Sequence, residues 1–164
     1  MTPRLRAALG SIVFLVLAPG VVAGVVPWAL TGWETRSPWA PLQVAGWLLV
    51  AGGAAILLHA FARFVVEGVG TPAPVAPTEH LVVGGLYRYV RNPMYLAVAA
   101  TIVGQALILG RTGLLAYAAL FGAAVAAFVH GYEEPTLAER YGERYEAYRR
   151  EVPPWLPRRR RWRD

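Results

Sequence analysis

Of the 164 residues, 56% are hydrophobic and 16% are charged, and the mean hydropathy is +0.41, an apolar load that a water-soluble fold of this length does not bury. The chain has no cysteine and all 16 of its basic residues are arginine, which excludes disulfides, thiolate nucleophiles, cysteine-ligated zinc, Schiff-base lysines and phosphate-loop lysines. The net charge of +6 and the pI near 10.2 sit in short loops and tails beside apolar stretches, the pattern that orients a membrane protein rather than one that reads nucleic acid.

Cutting the sequence at its charged residues leaves four uncharged windows, 7–33, 37–62, 92–110 and 112–132. Each meets the roughly 18–20 residues that a helix needs to cross a ~30 Å hydrocarbon core. The predicted fold is all-α: a polytopic membrane helical bundle of about four transmembrane helices with an amphipathic cytoplasmic helix near the C-terminus, all in one membrane domain, 1–164. Basic residues favour the cytoplasmic side. Both termini and the segment 63–91 are therefore expected inside, the turns at 31–40 and 110–113 outside, and the protein in the cell membrane as a multi-pass chain. The first window exceeds the 7–15 apolar residues of a signal peptide and is read as an anchor.

That first span contains Pro19, Gly20, Gly24 and Pro27. It should be kinked, with the freed backbone groups satisfied by neighbouring helices. The second has Gly46, Gly52 and Gly53, small residues that permit close helix approach. His59 near its end reads as a hydrogen-bonded structural residue or an interface anchor, and Arg63 with Glu67 as an i,i+4 pair on a solvated face. Residues 68–77 carry Gly68, Gly70, Pro72, Pro74 and Pro77, which preclude a regular helix; a long irregular loop of this kind is usually functional, and 70–74 reads either as a rigid connector or as part of a ligand cradle. The last two windows are joined only by Gly110 to Gly113, so they form a tight antiparallel hairpin.

After the fourth window the composition turns charged. Pro135 suits a first helical turn, and Leu137, Tyr141, Tyr145, Tyr148 and Val152 recur at helical spacing. They give one amphipathic helix whose aromatic stripe either packs on the bundle or walls a pocket. Pro153, Pro154 and Pro157 end it, and Arg158 to Arg161 form a basic tail placed on anionic headgroups. His59, His80 and His130 are too dispersed for a helical metal site, so no metal is expected.

A tight hairpin returns its two ends to the same level. One end reads Tyr87-Arg-Tyr-Val-Arg91-Asn92-Pro93-Met94-Tyr95, and the other holds His130, Glu133 and Glu134. Taken singly, Arg91 and Glu133 are interface charges reaching for water. Together with the proline-rich loop, the tyrosines and a covering helix, they outline a pocket.

Glu79-His80-Leu81-Val82 through Tyr87 and Asn92-Pro93-Met94-Tyr95, then the hairpin, then Glu133-Glu134-Pro-Thr-Leu with its following tyrosines and Val152-Pro153, resemble the isoprenylcysteine carboxyl methyltransferase and phospholipid N-methyltransferase superfamily over roughly residues 68–157. The resemblance implies an integral membrane methyltransferase that uses S-adenosyl-L-methionine. It divides the chain into two N-terminal spans (1–66), a cofactor-binding unit (67–157) and the basic tail (158–164). It implies cofactor contacts from Glu79, His80, Leu81, Val82, Tyr87, Asn92, Pro93, Met94, Tyr95, Glu133 and Glu134, and catalytic positions at Arg91, Asn92 and Tyr95. Glu133 would hold the donor's ammonium or ribose hydroxyls, Arg91 or Arg88 its carboxylate, and tyrosine faces its cationic sulfur. Asn92 stands where the family usually has His, which keeps hydrogen bonding but removes titration near neutral pH. Val129 stands where the isoprenylcysteine branch has Arg, which removes a partner for a carboxylate acceptor.

The acceptor classes left open are a lipid amine, an isoprenoid carboxylate and a small or hydrophobic nucleophile such as a thiol. Membrane lipids are the other expected partners, and no nucleic acid is expected. Two other functions compete: a sterol-reductase-like membrane enzyme using NADPH, for which the Arg-Asn-Pro-Met-Tyr approach to a hairpin has a parallel, and a non-enzymatic small membrane protein.

Overall fold

In hydrocarbon every backbone N–H and C=O must be bonded within the protein, which leaves helix as the form for an isolated apolar stretch. The computed structural model follows that rule and describes residues 3–36, 38–68 and 80–162. Helix α1 (Pro3–Leu17) continues through a π-helical turn (Val21–Val25) into α2 (Val26–Thr31). Helix α3 (Ala40–Arg63) ends in a second π turn (Phe64–Gly68). A 3-10 turn (Gly85–Arg88) precedes α4 (Pro93–Leu109). Helix α5 (Gly113–Phe128) passes through a third π turn (Val129–Glu133) into α6 (Glu134–Tyr141), and α7 (Glu143–Glu151) follows.

Three stretches are long and apolar enough to cross a membrane: Ala8–Thr31, Ala40–Glu67 and Gly113–Tyr141. The expected fourth span is shorter. Pro93 opens α4 and Gly110, at φ 64°, closes it after 17 residues, about 25 Å at 1.5 Å per residue. Leu9, Val16, Trp28, Trp47, Leu48 and Leu120 point outward and exposed, as a bundle solvated by lipid requires.

The seam between α3 and α4 is built from small residues. A Cβ added at Gly46 would meet the Gly104 carbonyl at 2.6 Å, and one at Gly53 would meet the Ala97 carbonyl at 2.7 Å. Gly52, on another face, meets nothing within 4 Å. The α4–α5 hairpin closes over Val98, Ile102, Ala106, Leu109, Leu114 and Ala118.

Both π turns that run into a further helix precede a proline by two residues, Pro27 and Pro135. Proline cannot donate to the preceding turn and its ring crowds the carbonyl there, so the helix widens. In the first span the Val22 carbonyl accepts from Tyr117 Oη at 2.9 Å and the Ala23 carbonyl from Gln105 Nε2 at 2.6 Å. Neighbouring helices thus take up the carbonyls around the kink, as the proline content predicts.

The turns expected on one side of the membrane are joined. Arg111 donates to the Glu34 carboxylate and carbonyl, each at 3.1 Å, and Arg36 N–H to the Leu109 carbonyl at 2.9 Å. At the opposite end the expected single amphipathic helix is two. Gly142 takes φ 54°, ψ −133°, a conformation essentially confined to glycine, and the chain bends there. The predicted stripe survives the bend: Tyr145, Tyr148 and Val152 form a buried cluster with Leu81, Val83 and Trp162, with Leu137 and Tyr141 packed against it.

The C-terminal residues turn back as a strap. Arg91 N–H donates to the Pro153 carbonyl at 3.0 Å, Arg158 N–H to Tyr89 O at 2.9 Å and Trp162 N–H to Arg88 O at 3.0 Å. Trp162 is buried edge-on against Tyr148, with 5.3 Å between ring centroids. The tail expected to touch only headgroups is therefore also stitched to the segment that leads into α4.

Candidate active site

The two ends of the hairpin do meet. Tyr95, in the first turn of α4, donates its hydroxyl to Glu133 in the π turn after α5, at 2.9 Å. One turn position earlier, Arg91 Nη1 lies 2.7 Å from Glu134, and both side chains are about nine-tenths buried at 10% and 12% exposure. Successive residues of a regular helix point about 100° apart, yet Glu133 and Glu134 both line the same cavity, with the π turn ending between them. Arg149 adds a second cation, 3.8 Å from Glu134.

That cavity holds about 330 Å³, within the range of small-molecule sites, roughly 300–1,000 Å³. Its polar lining is Arg91, Asn92, Glu133, Glu134, Thr136 and Arg140; its walls are largely aromatic, with Tyr87, Tyr95, Tyr132, Tyr141, Tyr145 and Tyr148 among them. A second cavity of about 210 Å³ shares Tyr87, Arg91, Asn92, Tyr95 and Glu133 with it. This one runs between the first span, at Phe14, Ala18, Pro19 and Val22, and the hairpin, at Met94, Val98 and Phe121. Two mainly apolar chambers thus share a wall at the Tyr95–Glu133 pair, with Arg91 and Asn92 lining both and Glu134 and Arg140 only the first.

The walls are fixed by hydrogen bonds from phenols. Tyr148 donates to the Tyr87 carbonyl at 2.7 Å, and Arg91 Nη1 donates to Tyr145 Oη at 3.2 Å. Burial pushes the Tyr87 and Tyr148 phenols well up, and raises Tyr145 against the opposing pull of Arg91. All three remain neutral O–H groups at physiological pH.

Most of the residues singled out from the sequence gather here, with differences of detail. Leu81 and Val82 are buried and line the first cavity. Pro93 is buried at the start of α4, and Met94 lines the second cavity. Asn92 is buried, but its amide donates to the Pro154 carbonyl at 3.2 Å and does not cap α4. His80 is exposed and lines neither cavity, and of the two candidate arginines Arg91 lines both while Arg88 lines neither. Glu79 and the proline-rich loop through Pro77 lie outside the described residues.

Sequence reasoning missed one support. Arg63 and Glu67, taken for a solvated pair, form an ion pair whose Glu67 carboxylate accepts the Gly84 N–H at 2.9 Å. A side chain at Gly84 would overlap Glu67 and Arg63, and one at Gly85, which sits at φ 58°, would overlap His59. The end of α3 and the π turn after it thus anchor the turn that carries Tyr87. The glycine pair before Tyr87 was the available signal, since two adjacent glycines mark a close backbone approach.

The phospholipid methyltransferase family model matches residues 42–144, more than half of the chain. The chain belongs to that family. Neither a curated protein nor a solved structure matches it. The family match begins in α3 and ends in α7, so it contains Tyr87, Arg91, Tyr95, Glu133 and Glu134. The first span, which supplies one wall of the second cavity, and the strap lie outside it.

Proposed function

We propose that this phospholipid methyltransferase family member takes its methyl group from S-adenosylmethionine and passes it to a lipophilic acceptor, with a lipid amine the leading class. The observation that carries the reading is the pair of chambers sharing the Tyr95–Glu133 wall, one reaching Glu134, Arg140 and the tyrosines, the other extending between the first span and the hairpin. The residues fit the donor. Glu133 and Glu134 offer carboxylates for an ammonium or ribose hydroxyls, tyrosine faces suit a sulfonium, and Arg91 keeps one buried donor, Nε, without a partner among the described residues. A carboxylate oxygen would satisfy it.

S-adenosylmethionine, when bound, supplies a methyl carbon on a cationic sulfur open to in-line attack. The protein's part is positioning and exclusion of water. Tyr95 and Glu133 hold the shared wall, Arg91 and Glu134 the charged floor, and Tyr87 and Tyr148 the rigid side. An amine acceptor would first lose its proton, to water or a carboxylate, which frees the lone pair that would bond the methyl carbon, and the leaving sulfur would keep the electrons of the broken bond. Asn92, tied to Pro154, does not serve as a base. The family description favours phospholipid among acceptors, and Val129 offers no cation to an isoprenoid carboxylate.

The test is radiolabelled methyl transfer into membrane lipid extract by detergent-purified protein, with the labelled product identified. Parallel binding of S-adenosylmethionine and NADPH separates this reading from a reductase, and binding of neither favours a non-enzymatic role. In the same reading both termini are cytoplasmic; reporter fusions after Arg36 and after Asp164 should then report opposite compartments.

A further inference from the structure

We propose that residues 155–161 form a docking site for the headgroups of anionic phospholipids in the surrounding bilayer, with Leu156 as its apolar anchor. The strap is stitched before, within and after this segment, by Arg91 N–H to the Pro153 carbonyl, Arg158 N–H to Tyr89 O and Trp162 N–H to Arg88 O, with Trp162 buried against Tyr148. Between Pro154 and Trp162 the chain has little choice of path. On that fixed loop Leu156 is 80% exposed, the most exposed of the large hydrophobic residues described.

The arginines divide into two sets. Arg158 is spent within the fold, donating to the Glu151 carbonyl at 2.9 Å and its carboxylate at 3.1 Å. Arg159, Arg160 and Arg161 are exposed, and among the described residues they have no acidic partner. Three exposed cations with no acidic partner among the described residues, beside one protruding leucine, match the combination that binds an anionic membrane surface, charge to phosphate and apolar side chain to the acyl boundary.

Position selects lipid over an acidic protein. The strap's backbone bonds are to Arg88, Tyr89 and Arg91, just before Pro93 opens the apolar helix α4. The loop therefore lies at the level where the chain enters hydrocarbon, within reach of headgroups. Because it is already held, little ordering entropy opposes binding. The inference is independent of the methyl-transfer reading, since no residue of the cavities takes part.

The chain's lack of cysteine makes the test clean. Leu156→Cys, labelled with a solvatochromic dye, is placed in nanodiscs of phosphatidylcholine alone or of phosphatidylcholine mixed with phosphatidylglycerol. The expected result is a blue-shifted emission in the anionic discs, reversed by high salt and absent when R159Q, R160Q and R161Q are added. The triple variant keeps the backbone stitches and Arg158, and its unchanged melting temperature shows that the strap is intact. Equal emission in the two discs overturns the proposal, as does a shift that survives the triple substitution. A shift produced equally well by soluble polyglutamate in neutral discs overturns it in favour of an acidic protein partner.

Discussion

Tyr95 and Glu133, 38 residues apart in sequence, are joined by a 2.9 Å hydrogen bond from phenol to carboxylate. The bond ties the first turn of α4 to the π turn after α5 and forms the wall shared by the two cavities. Tyr95→Phe removes the donor and leaves the shape of the wall. A hydrogen bond to a charged group is worth about 1.5–3 kcal/mol, so kcat/KM for methyl transfer should fall by roughly 10- to 150-fold. Steady-state kinetics on the variant check this, and an unchanged rate would make the pair dispensable.

The glycine seam gives a contrast within one helix. Gly46→Ala and Gly53→Ala drive a methyl group into the backbone of α4 and should cost about 1–3 kcal/mol each through overpacking. Gly52→Ala meets open space and should be neutral or stabilising by up to about 1 kcal/mol, from helix propensity alone. Thermal melts in one detergent rank the three.

Much of this was legible in the chain, for stated reasons. A four-residue connection forces hairpin ends together, which predicted that Arg91 and Glu133 would lie in one neighbourhood. Prolines in an apolar span demand donors elsewhere, and Gln105 and Tyr117 supply them. The tyrosine stripe proved to be both packing and cavity wall. What escaped was long-range backbone bonding. Nothing in local spacing says that Glu67 bonds the Gly84 N–H or that Trp162 returns to Arg88, because such bonds have no periodicity. The bend at Gly142 was hidden because the stripe keeps helical spacing across it.

Those kinked-span donors can be removed singly. Gln105→Leu takes away the 2.6 Å bond to the Ala23 carbonyl and should destabilise by about 1–3 kcal/mol, the cost of a buried unsatisfied polar group. Denaturant-dependent unfolding in detergent measures it.

The strap should steady the site. Trp162→Ala removes a buried aromatic, a change that costs about 3–5 kcal/mol in a packed core, and should undock residues 153–162. The Arg91 N–H then loses the Pro153 carbonyl, and its amide exchange should accelerate relative to the amides of α5. Hydrogen exchange resolved by peptide reads both; equal protection in variant and parent would show that the strap does not hold this segment.

The claim that the charged cavity binds S-adenosylmethionine is tested most directly by titration calorimetry on Glu133→Gln and Glu139→Gln. The two substitutions remove the same charge, one from the cavity wall and one from the exposed face of α6. A lost hydrogen bond to the charged carboxylate should weaken binding by about 1.5–3 kcal/mol for Glu133→Gln and leave Glu139→Gln near the parent value. Parent-like affinity in Glu133→Gln, with its ligand-free melting temperature unchanged, would contradict the account.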